Sequence, residues 1–522
     1  MIEALAHSLD ILMFAAMFAA ILLGFPVFLS LTGVALIFAG LGTAAGVMPM
    51  TRLQAIGPRV FDILTNNTLL AIPLFVLMGV ILQRSGIAEE LLEEMGRLFG
   101  GIRGGLGVSV TIVGGLLAAS IGIVGATVVA MAMVALPTML RNNYDPRLAA
   151  GTVTAAGTLG QIIPPSTMLI ILADVMASGY QQAQYAQGEF TVETISVGEI
   201  FAATLLPGLV LVGLMAVFLL AVSWLRPGLA PAMPARDVRV SWARVLAALL
   251  PPLVLIVLVL GSILFGITTP TESACVGAAG ALMLAGKRIA PDAGTRPFWL
   301  AGGAAAGLLV LSQTVDMRFG TAATVEAYAG VGVGVVLSAV VLYGLGAALW
   351  HSARASILGD ILDRTLRVTA MIFATIIGAT VFSLVFHTLG GQERVTGLLE
   401  AMPGGMLAAL LFVMAVIFVM GFFLDFVEIS VIVLPIVVPV LIIKGAEPIW
   451  LAVLIAMNLQ TSFMTPPFGF SLFYLRGAAP PEVTTGAIYQ GVLPFIVLQV
   501  IAMGIVLLVP GLASWLPGLL FG

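Results

Sequence analysis

Four carboxylates, Asp174, Glu272, Asp425 and Glu428, stand in stretches apolar and long enough to span a bilayer, and no Lys or Arg shares those stretches. A charged side chain at the bilayer centre costs about 2.5–3.5 kcal/mol, so each is a functional candidate in its own right. Asp425 is the foremost, because it follows Gly421 at the midpoint of an apolar run some 40 residues long. With no basic partner, a carboxylate there points to a cation, and hard cations take oxygen ligands. Hydroxyls of Thr461 and Thr465, with carbonyls of unwound backbone, could complete such a shell. The alternative is a helix cap or a place at the lipid–water boundary. Glu428, one turn on, could face a vestibule, whereas Asp174 and Glu272 lie near span ends, where a structural role fits as well.

Backbone chemistry is signalled next to those hydroxyls. GTLGQIIPPS (157–166) and NLQTSFMTPPFG (458–469) each set a Pro-Pro pair inside an apolar span. Two adjacent prolines remove two backbone donors and clash with the preceding turn. The carbonyls so freed cannot face lipid, and must line protein or a water-filled cavity. A plain proline kink is the simpler reading; a matched pair favours function. Ala119 to Thr127 forms a third small-residue break with no acid. Close helix packing explains such residues; exposed carbonyls and helix N-termini offered to an ion or anion explain them too.

The surrounding elements must be membrane helices. Of 522 residues 61% are hydrophobic and 9% charged, against roughly 45–50% and 25% in a soluble domain. The apolar runs are continuous and near 20 residues, the length of a helical span, not the alternating ten-residue segments of a barrel. A net charge of −4 offers no surface for nucleic acid, and the lone Cys275 no disulfide or thiol metal cluster. The nearest Walker-type candidate, Gly286-Lys287, has Ala281 and Arg288 at the other required positions, so ATP hydrolysis is excluded. His7, His351 and His387 are scattered, and no His-Glu-x-x-His motif marks an intramembrane enzyme. MIEALAHSLD lacks the basic start of a cleaved signal peptide, so its apolar stretch reads as the first span.

The expected fold is an all-α polytopic membrane protein of about twelve spans, near 9–24, 27–46, 69–84, 148–177, 200–225, 246–266, 268–286, 298–314, 329–350, 368–389, 449–475 and 488–515. Two further runs, 104–141 and 404–443, break near their middles, at Gly122 and Gly125 and at Gly421 and Asp425; they read as re-entrant hairpins. Residues 86–99, with apolar positions 87, 91, 95 and 98 and four glutamates elsewhere, read as an interfacial amphipathic helix bracing moving against fixed parts. If hairpin 104–141 opens to the cytoplasm, only Arg52, Arg59, Arg318, Arg394 and Lys444 of the 21 basic residues fall outside, as the positive-inside rule requires. Both termini and loop 178–199 then face the periplasm of a bacterial inner membrane.

Pro137, Pro146, Pro164 and Pro165 recur as Pro439, Pro448, Pro466 and Pro467, each 302 positions on; Gly104-Gly105 answers Gly404-Gly405 at 300. An odd number of crossings separates the copies, so they are inverted repeats, the common ground plan of secondary transporters. The first repeat covers 1–225, with hairpin 104–141 and broken helix 148–177. Residues 226–289 lead into the second, 290–355 read as a two-span insertion, and 356–522 complete it with hairpin 404–443 and broken helix 449–475.

The motifs AIPLFVLMG (71–79), LAASIGIVGA (117–126), GTLGQIIPPS, GITTPTES (266–273), GFFLD (421–425) and TPPFG (465–469) resemble, over nearly the whole chain, the large membrane subunit of tripartite ATP-independent periplasmic (TRAP) transporters. The resemblance implies an elevator-type carrier, no cofactor beyond sodium as coupling ion, a small four-span membrane partner and a periplasmic substrate-binding protein delivering organic acids. It places one sodium site at Ser120, Gly122, Gly160, Ile163 and Pro165 and a second at Asp425, Thr461, Thr465 and Phe468, mostly through carbonyls. The substrate is then expected at Ser120, Gly125, Thr127, Ser166, Asp425, Thr465 and Pro467. The chain departs from the family in having Ile-Gly-Ile-Val-Gly where many members carry a serine-rich first tip, and in the insertion. The function so implied is uptake of a small carboxylate into the cytoplasm. A proton-coupled carrier and a channel-like pore are the alternatives, and a dicarboxylate, a 2-oxo acid and a sugar acid all fit.

Overall fold

The computed structural model describes residues 8–121, 124–189, 193–234, 241–289, 296–315 and 325–522. Among them the regular structure is helical throughout, with no strand. Seven helices are long and apolar enough to cross a bilayer alone, from Val27–Ala44 to Thr485–Leu508. Two bent pairs, Ala71–Arg84 with Ile87–Phe99 (60°) and Phe426–Ile432 with Leu434–Ile443 (57°), would bring the number to nine if each were one span. Of the remaining expected spans, 9–24, 298–314 and 449–475 fall on shorter apolar helices, whereas 148–177 falls on Pro146–Thr158 and Thr167–Gln187 and 268–286 on Pro270–Ile289; Leu9–Leu22, with 14 residues, is about 21 Å long.

Sequence chemistry accounts for where helices start and stop. Asp145 caps Pro146–Thr158 by accepting from the Arg147 and Leu148 amides. Glu447, 302 residues on, caps Pro448–Phe463 by accepting from the Ile449 and Trp450 amides. Both helices carry proline at their first position, where a missing N–H costs nothing. Each is buried all round, from Leu148 to Thr158 and from Trp450 to Phe463, as a helix at the centre of a bundle must be. Gly86 and Gly390 adopt left-handed φ values of 72° and 85° and begin the helices Ile87–Phe99 and Gly391–Glu400. The first is the expected amphipathic helix, burying Ala88, Leu91, Leu92 and Met95.

Several boundaries depart from expectation. The helix expected to end at 177 runs from Thr167 to Gln187 and stops at Gly188, whose φ is 80°. Its polar last turns are good helix formers, and nothing obliges a helix to stop at the bilayer surface. The span expected at 488–515 ends at Leu508, and Gly511–Phe521 is a separate helix; Pro510 lies at the junction and cannot continue the ladder. Hairpin 404–443 breaks at Gly421 to Asp425 as expected, then bends again before Leu434, next to Pro435. In hairpin 104–141, Gly125 is not a break but lies within Val124–Arg141; residues 122 and 123 lie outside the described residues. Gly391–Glu400 and the exposed Ile56–Thr65 were not expected.

Residues 290–355 contribute Arg296–Thr314 and Val325–Arg354, which pack together where Gly344 faces Ala301 and Gly307 faces Leu337. They lean on Pro270–Ile289, where Gly286 meets Ala348 and Phe298 and Lys287 Nζ sits 4.5 Å above the Trp299 ring. Polar contacts at the helix ends join residues that the charge pattern assigns to one side. Arg84–Asp360 (2.7 Å) and Arg288–Glu90 (2.5 Å) link expected cytoplasmic segments. Arg394–Asp10 (2.6 Å) and the Thr271 hydroxyl donating to the Asn67 carbonyl (2.5 Å) link expected periplasmic ones.

Candidate functional site

Two buried half-helices end in the middle of the bundle, and the chain unwinds after each. Pro146–Thr158 passes through a single 3-10 turn, Leu159–Gln161, into the non-helical segment 162–166 before Thr167–Gln187 begins. Pro448–Phe463 unwinds over 464–469 before Phe470–Ala478. In a continuous helix, Pro164 and Pro165 would donate to the Gly160 and Gln161 carbonyls, and Pro466 and Pro467 to those of Ser462 and Phe463; proline cannot. The Pro164–Pro165 and Pro466–Pro467 peptide bonds are cis.

The second break repairs itself. The Ser471 hydroxyl donates to the Phe463 carbonyl (2.7 Å), the Thr465 amide to the Ser462 carbonyl (3.2 Å), and the Tyr489 hydroxyl to the Pro467 carbonyl (3.0 Å). Thr461 and Thr465 hydroxyls donate to the carbonyls four residues back, both at 2.7 Å, which leaves their oxygen lone pairs able to meet a cation. At the first break Leu169 stands 302 positions before Ser471, and it has no hydroxyl to give. Gln161 is 1% exposed with neither amide atom hydrogen-bonded, and Ser166 is fully buried with an unpartnered hydroxyl. Neither Gln161 nor Gln460 was expected at the site; an amide inside an apolar span was the signal.

The second tip closes on its break. A Cβ at Gly421 would collide with the Ser462 side chain, and Phe423 lies 5.4 Å from Phe468, ring centre to ring centre. Asn458 donates to the Met414 carbonyl (2.7 Å), tying the second half-helix to its hairpin. Gly157 backs onto Val128 and Gly125 onto the Tyr474 ring, so the return arm of the first hairpin touches both broken helices. The second return arm reaches across likewise, Val438 packing on Gly179.

Asp425 is the N-cap of Phe426–Ile432, accepting from the Phe426 amide (2.7 Å), while Glu428 accepts from the Asp425 amide (2.7 Å) in a capping box. The two acids therefore stand together, and none of the described ion pairs involves either. The other acids have structural partners. Asp174 accepts from the Asn66 side chain (2.9 Å), and the exposed Glu272 caps its helix through the Thr269 amide (2.8 Å). Of the first-site residues, Gly160 lies on the 3-10 turn, Pro165 is buried, and the Ile163 side chain fills space left by Gly115 and Gly208, so only its backbone is offered. Ser120 is in Gly105–Ile121, with its side chain outside the described residues, as is all of Gly122. Thr127 is buried in Val124–Arg141, and Phe468 is 46% exposed. No group of three or more His, Cys, Asp or Glu residues able to hold a metal occurs among the described residues.

Three comparisons bear on this arrangement. The family of the tripartite ATP-independent periplasmic transporter, DctM component, matches residues 14–290 and 297–512. The chain is 27% identical over 477 residues, 90% of each chain, to the C4-dicarboxylate TRAP transporter large permease protein DctM of Vibrio cholerae. It is 25% identical over 500 residues, 96% of each chain, to the sialic acid TRAP transporter large permease protein SiaM of the same organism. In fold it resembles the Alcanivorax borkumensis YdaH transporter, with a TM-score of 0.50, 14% identity and 88% of each chain covered.

Proposed function

The chain belongs to the DctM-component family of tripartite ATP-independent periplasmic transporters, and on that premise we propose that it is the carrier of a sodium-driven importer of a small organic acid. It is a multi-pass protein of the bacterial inner membrane and a transporter subunit, not an enzyme. A C4-dicarboxylate and sialic acid, named as the cargoes of relatives, support an organic acid as the substrate. A periplasmic binding protein delivers the acid, and a small four-span membrane subunit braces the carrier.

The observation carrying this reading is the meeting of the two broken half-helices at their ends, where Gln460 donates to Thr158. Two inverted repeats, spread over about twelve spans, account for it, and the matched caps Asp145 and Glu447 and the crossed hairpin arms support them. The hairpins and broken helices form the body that slides, elevator-fashion, within the outer helices. Sodium binds at each tip and break: Ser120, Gly122, Gly160, Ile163 and Pro165 on one side, Asp425, Thr461, Thr465 and Phe468 on the other. The acid sits between, near Ser120, Gly125, Thr127, Ser166, Asp425, Thr465 and Pro467. Proton coupling is the second reading, favoured by the adjoining Asp425 and Glu428, which could share a proton.

Uptake of labelled succinate and of sialic acid into proteoliposomes, with and without the cognate soluble and four-span partners, tests the reading. A sodium gradient should drive uptake only with the partners present. Robust uptake by the isolated chain would remove the tripartite assignment, and uptake driven equally by protons alone would favour the second reading.

A further inference from the structure

The two broken helices match up to the break and differ after it. In the second, Phe470–Ala478 has nine residues and stops before Pro480 and Pro481, which cannot continue the ladder. In the first, Thr167–Gln187 has 21 residues, which makes it about 31 Å long. It sets out from the middle of the bundle, where half of a hydrocarbon core about 30 Å thick takes up only about its first ten residues. Burial follows that division. Every residue from Thr167 to Ala173 is buried, whereas Gln182, Tyr185, Ala186 and Gln187 are exposed. The last turns therefore project past the apolar layer.

The extension is held in place. Gln184, 1% exposed, donates to the Glu193 carbonyl (3.1 Å) and accepts from the Glu193 amide (2.8 Å), pinning the returning chain. Gly179, at its base, packs on Val438 and Pro439 of the second return arm. Ile195 is buried, and Ser196 opens the next helix in a capping box with Glu199. The outward face carries Gln182, Tyr185 (65% exposed), Gln187, Glu189 and Glu193, and residues 178–199 include no Lys or Arg. Tyr180 donates to the Glu193 carboxylate (3.2 Å). Burial, Glu193, and the nearby Glu189 and Glu447 push its hydroxyl above the ordinary phenol value, so three acids gather on this face.

An inverted repeat gives a carrier two similar faces, and an element built on one face alone answers to something met on that face alone. The charge pattern puts 178–199 outside, where the soluble binding protein is, and the short second copy ends inside with Arg476. Lys and Arg side chains complement Glu189, Glu193 and Glu447. An exposed tyrosine supplies large contact area at low entropy cost, and a chain already pinned pays less to be ordered on binding.

We propose that the extension, residues 178–189 with Glu193, is the platform on which the periplasmic substrate-binding protein docks, presenting a basic face to it. Platform and break share one helix, so a protein seated there stands in fixed relation to the wall of the site. The inference rests on the tripartite reading above and on the outward placement of 178–199, and the experiment tells the three apart.

The full chain, purified with its four-span subunit into nanodiscs and immobilised, is titrated with the cognate binding protein loaded with succinate or sialic acid. Tyr185→Ala and Glu189→Lys, both at exposed positions, should each weaken binding by about tenfold or more, the scale of an interface hot spot. Binding to the wild type should weaken as salt rises and binding to Glu189→Lys should respond less, because salt screens the attraction that the substitution removes. Glu482→Lys, exposed in the turn after Arg476 on the opposite face, should bind as the wild type does. Wild-type affinity in both platform variants would overturn the inference alone. Weakening by Glu482→Lys in place of Glu189→Lys would overturn the outward placement, and the inference with it. Loss of the four-span subunit from the platform variants would give this face to that subunit and overturn the inference. A wild type that does not bind the soluble protein would overturn the tripartite reading itself.

Discussion

Gln460 Nε2 lies 3.4 Å from Thr158 Oγ1, and the two residues are 302 positions apart. That is the displacement separating the paired prolines and the capping residues Asp145 and Glu447. In a chain built from two copies related by a two-fold axis, a residue can touch its own counterpart only at the axis. The crossed hairpin arms fit the same geometry. Gly125 of the first return arm meets Tyr474 beyond the second break, and Val438 of the second return arm meets Gly179 beyond the first. Each half of the site is thus walled partly by the other half of the chain.

The contact between Thr158 and Gln460 should be measurable as an interaction energy. Thr158 donates to the Ala155 carbonyl and accepts from Gln460, so Thr158→Val strands a buried amide at the cost of about 1–3 kcal/mol. Gln460→Leu on that background removes the orphan and should recover most of the loss. Thermal unfolding of the two single variants and the double variant in detergent gives the cycle. Strict additivity would show that the two side chains do not interact.

Backbone contact between Pro146–Thr158 and Thr485–Leu508 gives a second test. A Cβ on Gly151 would collide with the Gly491 carbonyl, and one on Gly491 with the Arg147 carbonyl, whereas Gly504 has open space. Backbone on backbone cannot relax as a side chain does, and overpacking costs about 1–3 kcal/mol. Gly151→Ala should therefore lower the unfolding temperature clearly and Gly504→Ala should not; equal tolerance would mean the helices are further apart.

How far the sequence carried depends on what sets each feature. The helix breaks were legible because proline chemistry is local: Pro164-Pro165 and Pro466-Pro467 unwind the chain where they stand. The amphipathic helix at 87–99 was legible because its apolar spacing repeats with the helical period. Gly391–Glu400, its counterpart after Gly390, was not, because ten residues with Glu393, Arg394 and Glu400 carry little periodic signal. Asp425 stood out as a buried acid, but that its carboxylate caps a helix while Glu428 caps it in return depends on a turn geometry that spacing alone leaves open. Gln161 carries no charge to mark it within an apolar span, and only its burial shows that its amide is unpartnered.

Orientation in the membrane is testable with cysteines. In a Cys275→Ser background, since Cys275 is exposed, cysteine is placed at the exposed Gln182 or the exposed Gly228. An impermeant maleimide should label position 182 in intact cells and position 228 only after permeabilisation. The opposite pattern would invert the topology and move the periplasmic partner to the other face.

Asp425→Asn tests the ion site itself. Asparagine is as good an N-cap as aspartate, so Phe426–Ile432 should keep its start and the protein its expression and insertion. What disappears is a full negative charge beside Glu428, in a region where none of the described ion pairs lies. If sodium binds there, it is both driving force and counter-charge for the acid. Sodium then raises acid affinity and the acid raises sodium affinity by the same factor, about 5–150-fold for couplings of ordinary size. The variant should lose most of that factor, and uptake should fall steeply at low sodium. Asp174→Asn is the control: Asp174 accepts from Asn66, and an asparagine oxygen can still accept, so its sodium dependence should stay near that of the wild type. Uptake by Asp425→Asn with an unaltered sodium dependence would remove this carboxylate from ion coupling and leave it a helix cap alone.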